Sequence, residues 1–159
     1  ALNTHTQYRN FYLDLNFYYA GGHKIYEDLS VLTHHSGYYT FLYYNGTEKL
    51  MDRWQNPGDV TDVPKVVYGA SDDSKESTRF LFDGNYIRVK DLVLGYRIPE
   101  KFTQKIRFEN AEIYLRGTNL LTFVKDKNLE YDPETGADGM TRFTTPPVKS
   151  IVFGINLNF

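Results

Sequence analysis

Cysteine and long apolar runs are both absent from the 159-residue chain. Without cysteine there is no disulfide framework and no thiolate metal site. No stretch reaches the roughly 18 apolar residues that a membrane-spanning helix needs. The chain also has no large surplus of either charge, since it contains 18 Lys and Arg and 20 Asp and Glu. This balance gives no indication of a basic surface that would bind nucleic acid. Membrane-spanning strands stay open, since each gives only a weak hydropathy signal.

Aromatic residues, in contrast, are abundant. The chain contains 14 Tyr and 11 Phe, and aromatic side chains make up 16% of it. Tyrosine at this level suits two environments. One is the interfacial girdle of a membrane barrel, where one end of the ring is wet, and the other is a surface that binds sugars.

The clearest pattern is the strict alternation of the segment Val148–Phe159. Its odd positions from Ile151 onward are large and apolar, whereas its even positions are mostly small or polar. A period of two predicts a β-strand with one apolar and one polar face. The segment also has about the length of roughly 9–11 residues that carries a tilted strand across a bilayer. Its last residue, Phe159, is typical of the closing strand of an outer-membrane barrel.

The same reasoning predicts four strands, Gln7–Tyr19, Asn85–Ile98, Ala111–Asn119 and Val148–Phe159. In the second strand the apolar positions change phase, which predicts a β-bulge near Lys90-Asp91. A strand that leaves the membrane at Lys90 is the alternative. The predicted fold class is all-β, with antiparallel strands forming the C-terminal part of a transmembrane β-barrel. Four strands cannot close a barrel, for which about eight is the practical minimum, so we expect a fragment of a longer one.

The connections between these strands alternate in length. The segments at about 20–84 and 121–147 are long, whereas only 99–110 separates the second strand from the third. Outer-membrane barrels have short periplasmic turns and long extracellular loops, so we expect the two long segments to lie outside the cell. The side chains predicted to face lipid are Phe11, Leu13, Leu15, Phe17, Ile151, Phe153, Ile155 and Leu157. A soluble β-sandwich that binds carbohydrate or another protein is the alternative, and it would bury that face against a second sheet.

Several motifs, in order along the chain, resemble the SusC/RagA-type TonB-dependent outer-membrane transporters. The segment Asn85–Pro99 resembles a strand signature near the end of these proteins, and Ile113–Thr122 looks like the strand that follows it. The segment Tyr131–Glu134 is similar to the Tyr-Asp-Pro-Glu of their next loop. The stretch from Arg53-Trp54 to Asp62-Val63-Pro64 resembles an Arg-Trp…Thr-Asp-x-Pro segment of the family.

This resemblance implies a role for the whole chain. Residues 1–159 would be the C-terminal barrel segment of a receptor that imports glycan or peptide nutrients across the cell outer membrane. The implied partners are a SusD-type surface lipoprotein, the TonB complex through an N-terminal part outside this chain, the barrel-assembly machinery, outer-membrane lipid, and an oligosaccharide or peptide ligand. The resemblance implies no cofactor.

Three sets of residues are candidates for these contacts. Aromatic rings stack on the apolar faces of sugars, so the candidates for contact with substrate or with the lipoprotein are Tyr38, Tyr39, Phe41, Tyr43, Tyr44 and Trp54. Packing within the loop is the alternative for these rings. The polar side chains expected to line the barrel lumen are Asn16, Arg88, Glu112, Arg116 and Asn156. The resemblance also implies a barrel-assembly signal at Gly154, Leu157 and Phe159, although the family usually has a polar residue where Val152 stands.

No catalytic motif is present, so the sequence predicts that the chain is not an enzyme. Its Ser, His and Asp residues are scattered, without a nucleophile elbow. The adjacent His34-His35 would point in opposite directions in a strand, which argues against chelation. The acidic stretch Asp126–Glu134 resembles the start of an EF-hand, but Tyr131 occupies the place of the obligatory glycine. We therefore predict no metal site and expect this stretch to be a solvated loop.

Overall fold

The computed structural model describes residues 1–34, 45–67, 75–134, 136–141 and 145–159. Within them the chain forms an open five-stranded antiparallel sheet, whose strands lie side by side in the order in which they occur along the chain, and a separate two-stranded sheet. The five strands of the larger sheet are β1 Leu2–Tyr8, β2 Phe11–Ala20, β5 Tyr86–Arg97, β6 Asn110–Val124 and β7 Ser150–Asn158. The predicted all-β, antiparallel fold class, with a sheet that does not close on itself, is confirmed.

The remaining elements lie in the connections. β3 Lys24–Tyr26, α1 Asp28–Thr33, 3-10 turns at Glu48–Asp52 and Thr78–Phe80, and β4 Leu81–Asp83 all lie between β2 and β5. α2 Glu100–Thr103 and a 3-10 turn at Gln104–Ile106 join β5 to β6. Among the described residues, none of these helices has the length and apolar character needed to cross a membrane.

The chain divides into two compact units. The sheet unit comprises 1–22, 85–125 and 146–159, and the loop unit comprises 23–84 and 126–145. The sheet unit is a simple meander in which each strand pairs with the next strand of the unit along the chain. The two long connections between its strands therefore leave from the same end of the sheet, opposite the short connections.

Cross-strand pairing separates the two faces of the sheet cleanly. One row runs Leu13, Leu94, Leu115 and Phe153, and its neighbours carry further large apolar side chains such as Phe11, Ile113 and Ile155. We call this side the apolar face. Many of its side chains are exposed, among them Ile151 at 72% and Phe153 at 67% of their full accessibility. A sandwich core would bury such residues, so the exposure argues against the soluble alternative.

The predicted β-bulge at Lys90-Asp91 is confirmed. Phe17 pairs with Val89 and Asn16 pairs with Asp91, so Lys90 is the extra residue. Because one residue is inserted, Val89 returns to the apolar face beyond the bulge. The change of apolar phase that the sequence displays is therefore a local irregularity within one continuous strand.

The first predicted strand, Gln7–Tyr19, is present from Phe11 onward as β2, but its predicted start is wrong. The structure breaks it at Arg9-Asn10, where Arg9 adopts a left-handed φ of 54°, and Tyr8 pairs with Phe11 across this two-residue turn. The strand before the turn, β1, has few large apolar residues to reveal it, because Thr4 and Thr6 occupy its apolar face. The hairpin adds a fifth strand to the sheet.

The boundaries of the third predicted strand, Ala111–Asn119, are also wrong. Asn119 has a φ of 50°, which suits a turn, yet β6 continues to Val124. The register shifts here, from Asp91 opposite Thr118 to Val89 opposite Leu121, so Asn119 lies in a bulge. The long connection after β6 accordingly begins at Lys125 and not at Leu121.

Candidate functional site

The polar face of the sheet carries every side chain that the sequence predicts to line a lumen. Asn16, Arg88, Glu112, Arg116 and Asn156 all occupy its cross-strand rows, opposite to the apolar face. Four of them bond to neighbouring strands. Asn156 Nδ2 donates to Glu112 Oε1 at 2.7 Å, and Arg116 Nε donates to Asp91 Oδ1 at 2.8 Å. Their role in lining a lumen remains a prediction, but they share one surface.

Charged and aromatic groups alternate along this polar face. Arg88, only 1% exposed, donates from Nε to Thr122 Oγ1 at 3.0 Å. The Arg97 guanidinium lies 5.2 Å from the centre of the Tyr12 ring, and its Nη1 donates to Gln7 Oε1 at 3.2 Å. The cationic side chains are thus held by rings and by amide or hydroxyl oxygens of adjacent strands, which fixes their positions.

Sequence reasoning missed a row on this face in which tyrosine and glycine alternate. Tyr12, Gly95, Tyr114 and Gly154 face one another on successive strands. A Cβ added at Gly95 would lie 2.0 Å from Cζ of Tyr12, and one added at Gly154 would lie 2.2 Å from Cζ of Tyr114. Each ring therefore lies over the bare backbone of a glycine. Gly154, predicted as part of an assembly signal, has this packing role as well.

Trp54 is the one candidate for contact with substrate or lipoprotein that lies in a described segment. Tyr38, Tyr39, Phe41, Tyr43 and Tyr44 lie outside the described residues. Trp54 is half-buried, its backbone N–H donates to Val63 O at 2.9 Å, and Lys65 Nζ lies 5.8 Å from its ring centre. The ring thus belongs to a short loop closed at its base by backbone pairing.

The loop between Trp54 and Val63 is held by an internal carboxylate. Asp59 Oδ2 accepts the backbone N–H groups of Asn56 at 2.8 Å and Gln55 at 2.9 Å. These two bonds hold the pKa of the Asp59 carboxyl below its usual range. At the tip, the neighbouring Val60 is 100% exposed. The loop is consequently pre-organised, with an apolar side chain presented to its surroundings.

A buried carboxylate organises the core of the loop unit. Glu27 is fully buried, and its Oε2 accepts the Ser30 hydroxyl at 2.6 Å. Its Oε1 accepts the backbone N–H groups of Glu130 at 2.8 Å and Tyr131 at 3.3 Å. Nothing in the sequence marks this residue, because an acid between Tyr26 and Asp28 suggests a surface position.

His34 lies beside this network. It is 3% exposed, and its Nε2 lies 3.2 Å from Glu130 Oε2. Burial, together with the positive charges of Lys49 and Arg79, lowers the pKa of the imidazole to about 4. The negative charges of Glu27 and Asp62 act in the opposite direction and offset only part of this effect. The imidazole is therefore neutral at pH 7. Its neighbour in the sequence, His35, lies outside the described segments.

The acidic stretch from Asp126 bonds to the protein's own backbone. Asp126 Oδ1 accepts Asn128 N–H at 3.1 Å and its Oδ2 accepts Asp83 N–H at 3.2 Å. Burial raises the pKa of the Tyr131 hydroxyl. In the part of the chain that the structure describes, no group of three or more His, Asp or Glu side chains is arranged to hold a metal ion.

Comparison with known proteins identifies relatives over the whole chain. No family model matches it. The TonB-dependent receptor P3 of Formosa agariphila is 28% identical over an alignment that covers 100% of this chain and 16% of that receptor. The TonB-dependent receptor P26 of the same organism is 27% identical over 96% of the chain and 16% of its own length.

Two solved structures have the same arrangement. The RagAB peptide importer in its "open-open" state aligns with a TM-score of 0.76 and 29% identity, over 94% of this chain and 16% of that one. Its "closed-closed" state aligns with the same TM-score of 0.76 over 96% of this chain. The chain thus spans about one sixth of the length of these relatives, and the predicted resemblance to SusC/RagA-type TonB-dependent transporters is confirmed.

Proposed function

We propose that this chain, as a segment of a SusC/RagA-type TonB-dependent transporter, forms part of the wall of an outer-membrane importer of peptide or glycan nutrients. The apolar face would contact lipid and the polar face would line the lumen. The two long connections would lie outside the cell. The transported substrate would then pass side chains such as Glu112 and Arg116.

The observation that carries this proposal is the division of one sheet into two faces of opposite character. An exposed row of Leu, Ile and Phe side chains is costly in water and favourable in lipid. The opposite face carries bonded charges, which are costly in lipid and ordinary beside water. The likeness of the whole chain to transporters, including a peptide importer, adds independent support.

This segment would keep one conformation while the transporter changes state. The chain aligns equally well, at a TM-score of 0.76, with two states of the RagAB importer named "open-open" and "closed-closed". Equal likeness to both states favours a wall segment whose own conformation changes little. The movement would then belong to other parts of the assembly, among them a SusD-type lipoprotein acting as its partner.

Trp54 is the described residue that we propose for contact with this lipoprotein or with the substrate. It lies in the loop held by Asp59, so its ring is positioned before any partner arrives. A contact of this kind at a hot spot is worth about 2 kcal/mol or more, or roughly a 30-fold change in affinity. The tyrosines and Phe41 between 38 and 44 keep the same proposed role.

Uptake by cells with and without the full-length receptor tests the proposed function. Labelled oligopeptide and oligosaccharide pools would be supplied separately, and a protonophore would serve as the control for energy coupling. We expect deletion to abolish energy-dependent uptake of one pool, and the complemented strain to restore it. Unchanged uptake of both pools would contradict the importer.

Substitutions within this chain then test the contact. Trp54→Ala should weaken uptake or association with the lipoprotein, whereas Met51→Ala should not, although it removes a 68% exposed apolar side chain three positions away. Both variants should insert into the outer membrane at the level of the unmodified receptor. An equal effect of the two substitutions would count against a contact specific to Trp54.

A further inference from the structure

The carboxylate of Glu27 is a charge with no exposure to solvent, and the proposed transport function does not use it. Burying an isolated carboxylate is strongly unfavourable, so such a group persists only where donors surround it. Here each oxygen has a donor. Oε2 accepts the Ser30 hydroxyl at 2.6 Å and Oε1 accepts two backbone N–H groups, at 2.8 and 3.3 Å.

These donors come from two separate parts of the chain. Ser30 lies in α1, three residues after Glu27 and within the first long connection. The backbone donors belong to Glu130 and Tyr131, which are 103 and 104 residues away and lie in the second long connection. One charged group therefore joins two connections that the chain separates by two strands of the larger sheet, β5 and β6.

Other contacts also join the two connections, and two of them reach the Glu130 side chain: His34 Nε2 lies 3.2 Å from its Oε2 and Lys49 Nζ lies 3.8 Å from its Oε1. Tyr26 N–H donates to Gly139 O at 2.8 Å and Thr141 N–H donates to Tyr26 O at 3.0 Å, which forms a parallel bridge. Asp83 N–H donates to Asp126 Oδ2 at 3.2 Å near the start of the second connection. Between these two joints, the stretch 129–131 is held by the Glu27 carboxylate, and Leu129 beside it is buried.

We propose that Glu27 is a latch: its buried carboxylate fastens the 129–131 stretch of the second long connection to the first, so that the two connections behave as one folded body. Hydrogen bonds to an ionised acceptor are about twice as strong as neutral ones. Without the carboxylate, the N–H groups of Glu130 and Tyr131 lose their acceptor inside the protein. The stretch must then open to reach water.

The latch itself rests on the geometry of the loop unit, and its location on the outer side of the membrane rests on the proposed function. A fixed pair of loops would suit a wall segment that keeps one conformation while other parts of the transporter move. Glu27 would be a positioning residue in that case, because it holds backbone and contacts no substrate.

Hydrogen exchange on the full-length receptor tests the latch, with variants Glu27→Ala and Glu27→Gln. In Glu27→Ala, we expect the amides of residues 129–131 to exchange about 10- to 100-fold faster, since hydrogen bonds to a charged group are lost. Glu27→Gln keeps one acceptor oxygen and should give a smaller acceleration of the same amides. The matched control is Glu48→Ala, which removes an exposed carboxylate of the same unit and should change none of these rates.

The distribution of the change decides the outcome. Faster exchange at 129–131, with the amides of β3 and β4 still protected, supports a latch. Equal acceleration across the whole loop unit would mean that Glu27 is an ordinary core residue, and unchanged exchange at 129–131 would mean that the contact is dispensable. Both of these results overturn the proposal. The measurement does not depend on uptake, so failure of the importer proposal would leave it interpretable.

Discussion

At the scale of single residues, glycine and tyrosine on the polar face fit each other by shape. Tyr114 extends over the backbone of Gly154, where a Cβ would come within 2.2 Å of the ring. An aromatic ring that covers a cross-strand glycine shields its backbone and compensates for the low strand propensity of glycine. The alternation of Tyr and Gly along one row therefore stabilises the pairing of β2, β5, β6 and β7.

We predict that Gly154→Ala lowers the free energy of unfolding of the full-length receptor by about 1 kcal/mol, the lower end of overpacking costs, because the end of a ring can shift. Denaturation by urea would measure it. The double variant with Tyr114→Ala is the control, since removing the ring should remove most of the cost of the added methyl group. An equal cost in both backgrounds would show that the ring is not the cause.

His34 gives the second prediction at this scale, a dependence of local stability on pH. Its pKa of about 4 lies below the unfolded value of 6.5, so the unfolded segment binds a proton that the folded segment does not. Stability is therefore greatest above pH 6.5, falls between pH 6.5 and about 4, and changes no further below that. The fall amounts to about 3 kcal/mol by linkage.

Hydrogen exchange in α1, compared between pH 7 and pH 5 after correction for the intrinsic rate, would measure about 2 kcal/mol of this fall. The charged groups around His34 are Glu27, Lys49, Asp62, Arg79 and Glu130. His34→Gln removes the titrating ring and should flatten the dependence. If His34→Gln kept the full pH dependence of exchange in α1, the titrating group would be another residue and the prediction for His34 would fail.

At the scale of elements, the register of the sheet depends on its irregularities. The bulge at Lys90 lets β5 keep its apolar side chains on one face over its whole length. Without this extra residue, one half of β5 would turn its apolar side chains to the polar face. The bulge is therefore necessary for a sheet with one apolar and one polar face.

The sequence revealed some of these elements better than others. Strands with an apolar residue at every second position, such as β7 and β2, are visible because their period is regular. The polar β1 was missed because Thr4 and Thr6 occupy its apolar face, and the end of β6 was missed because Asn119 suggests a turn. The latch at Glu27 could not be predicted, since its donors are backbone groups more than 100 residues away.

The opposite character of the two faces gives a prediction for adjacent residues of β2. Leu15 lies on the apolar face, and Asn16 lies on the polar face opposite Asp91. Leu15→Arg should cost about 2–4 kcal/mol if the position is near the middle of the bilayer. Asn16→Arg should cost little, because Asp91 offers a negative partner and water is near.

The amount of folded, heat-modifiable receptor in the outer membrane would measure the difference between the two variants. The substitution is identical and the positions are neighbours, so the face is the variable being tested. Leu15→Arg should reduce the folded fraction strongly and Asn16→Arg should not. Similar folded levels for both variants would argue that the apolar face does not contact lipid.

At the scale of the whole molecule, the meander divides the connections of the chain into two groups. The hairpin at Arg9-Asn10 and the connection through α2 leave from one end of the sheet. The connections that hold the loop unit leave from the other end. In the proposed transporter, the first group would face the periplasm and the second would face the outside of the cell.

Labelling of introduced cysteines would test this orientation, and the absence of cysteine from the chain simplifies the experiment. Lys127 lies in the second long connection and Lys105 lies in the short connection after β5, and both are exposed. In a full-length receptor free of other reactive cysteines, Lys127→Cys should react with a membrane-impermeant maleimide on intact cells. Lys105→Cys should react only after the outer membrane is permeabilised. Both variants replace an exposed lysine with cysteine, so a difference in labelling reports the side of the membrane on which each residue lies. Labelling of Lys105→Cys on intact cells would contradict the proposed topology.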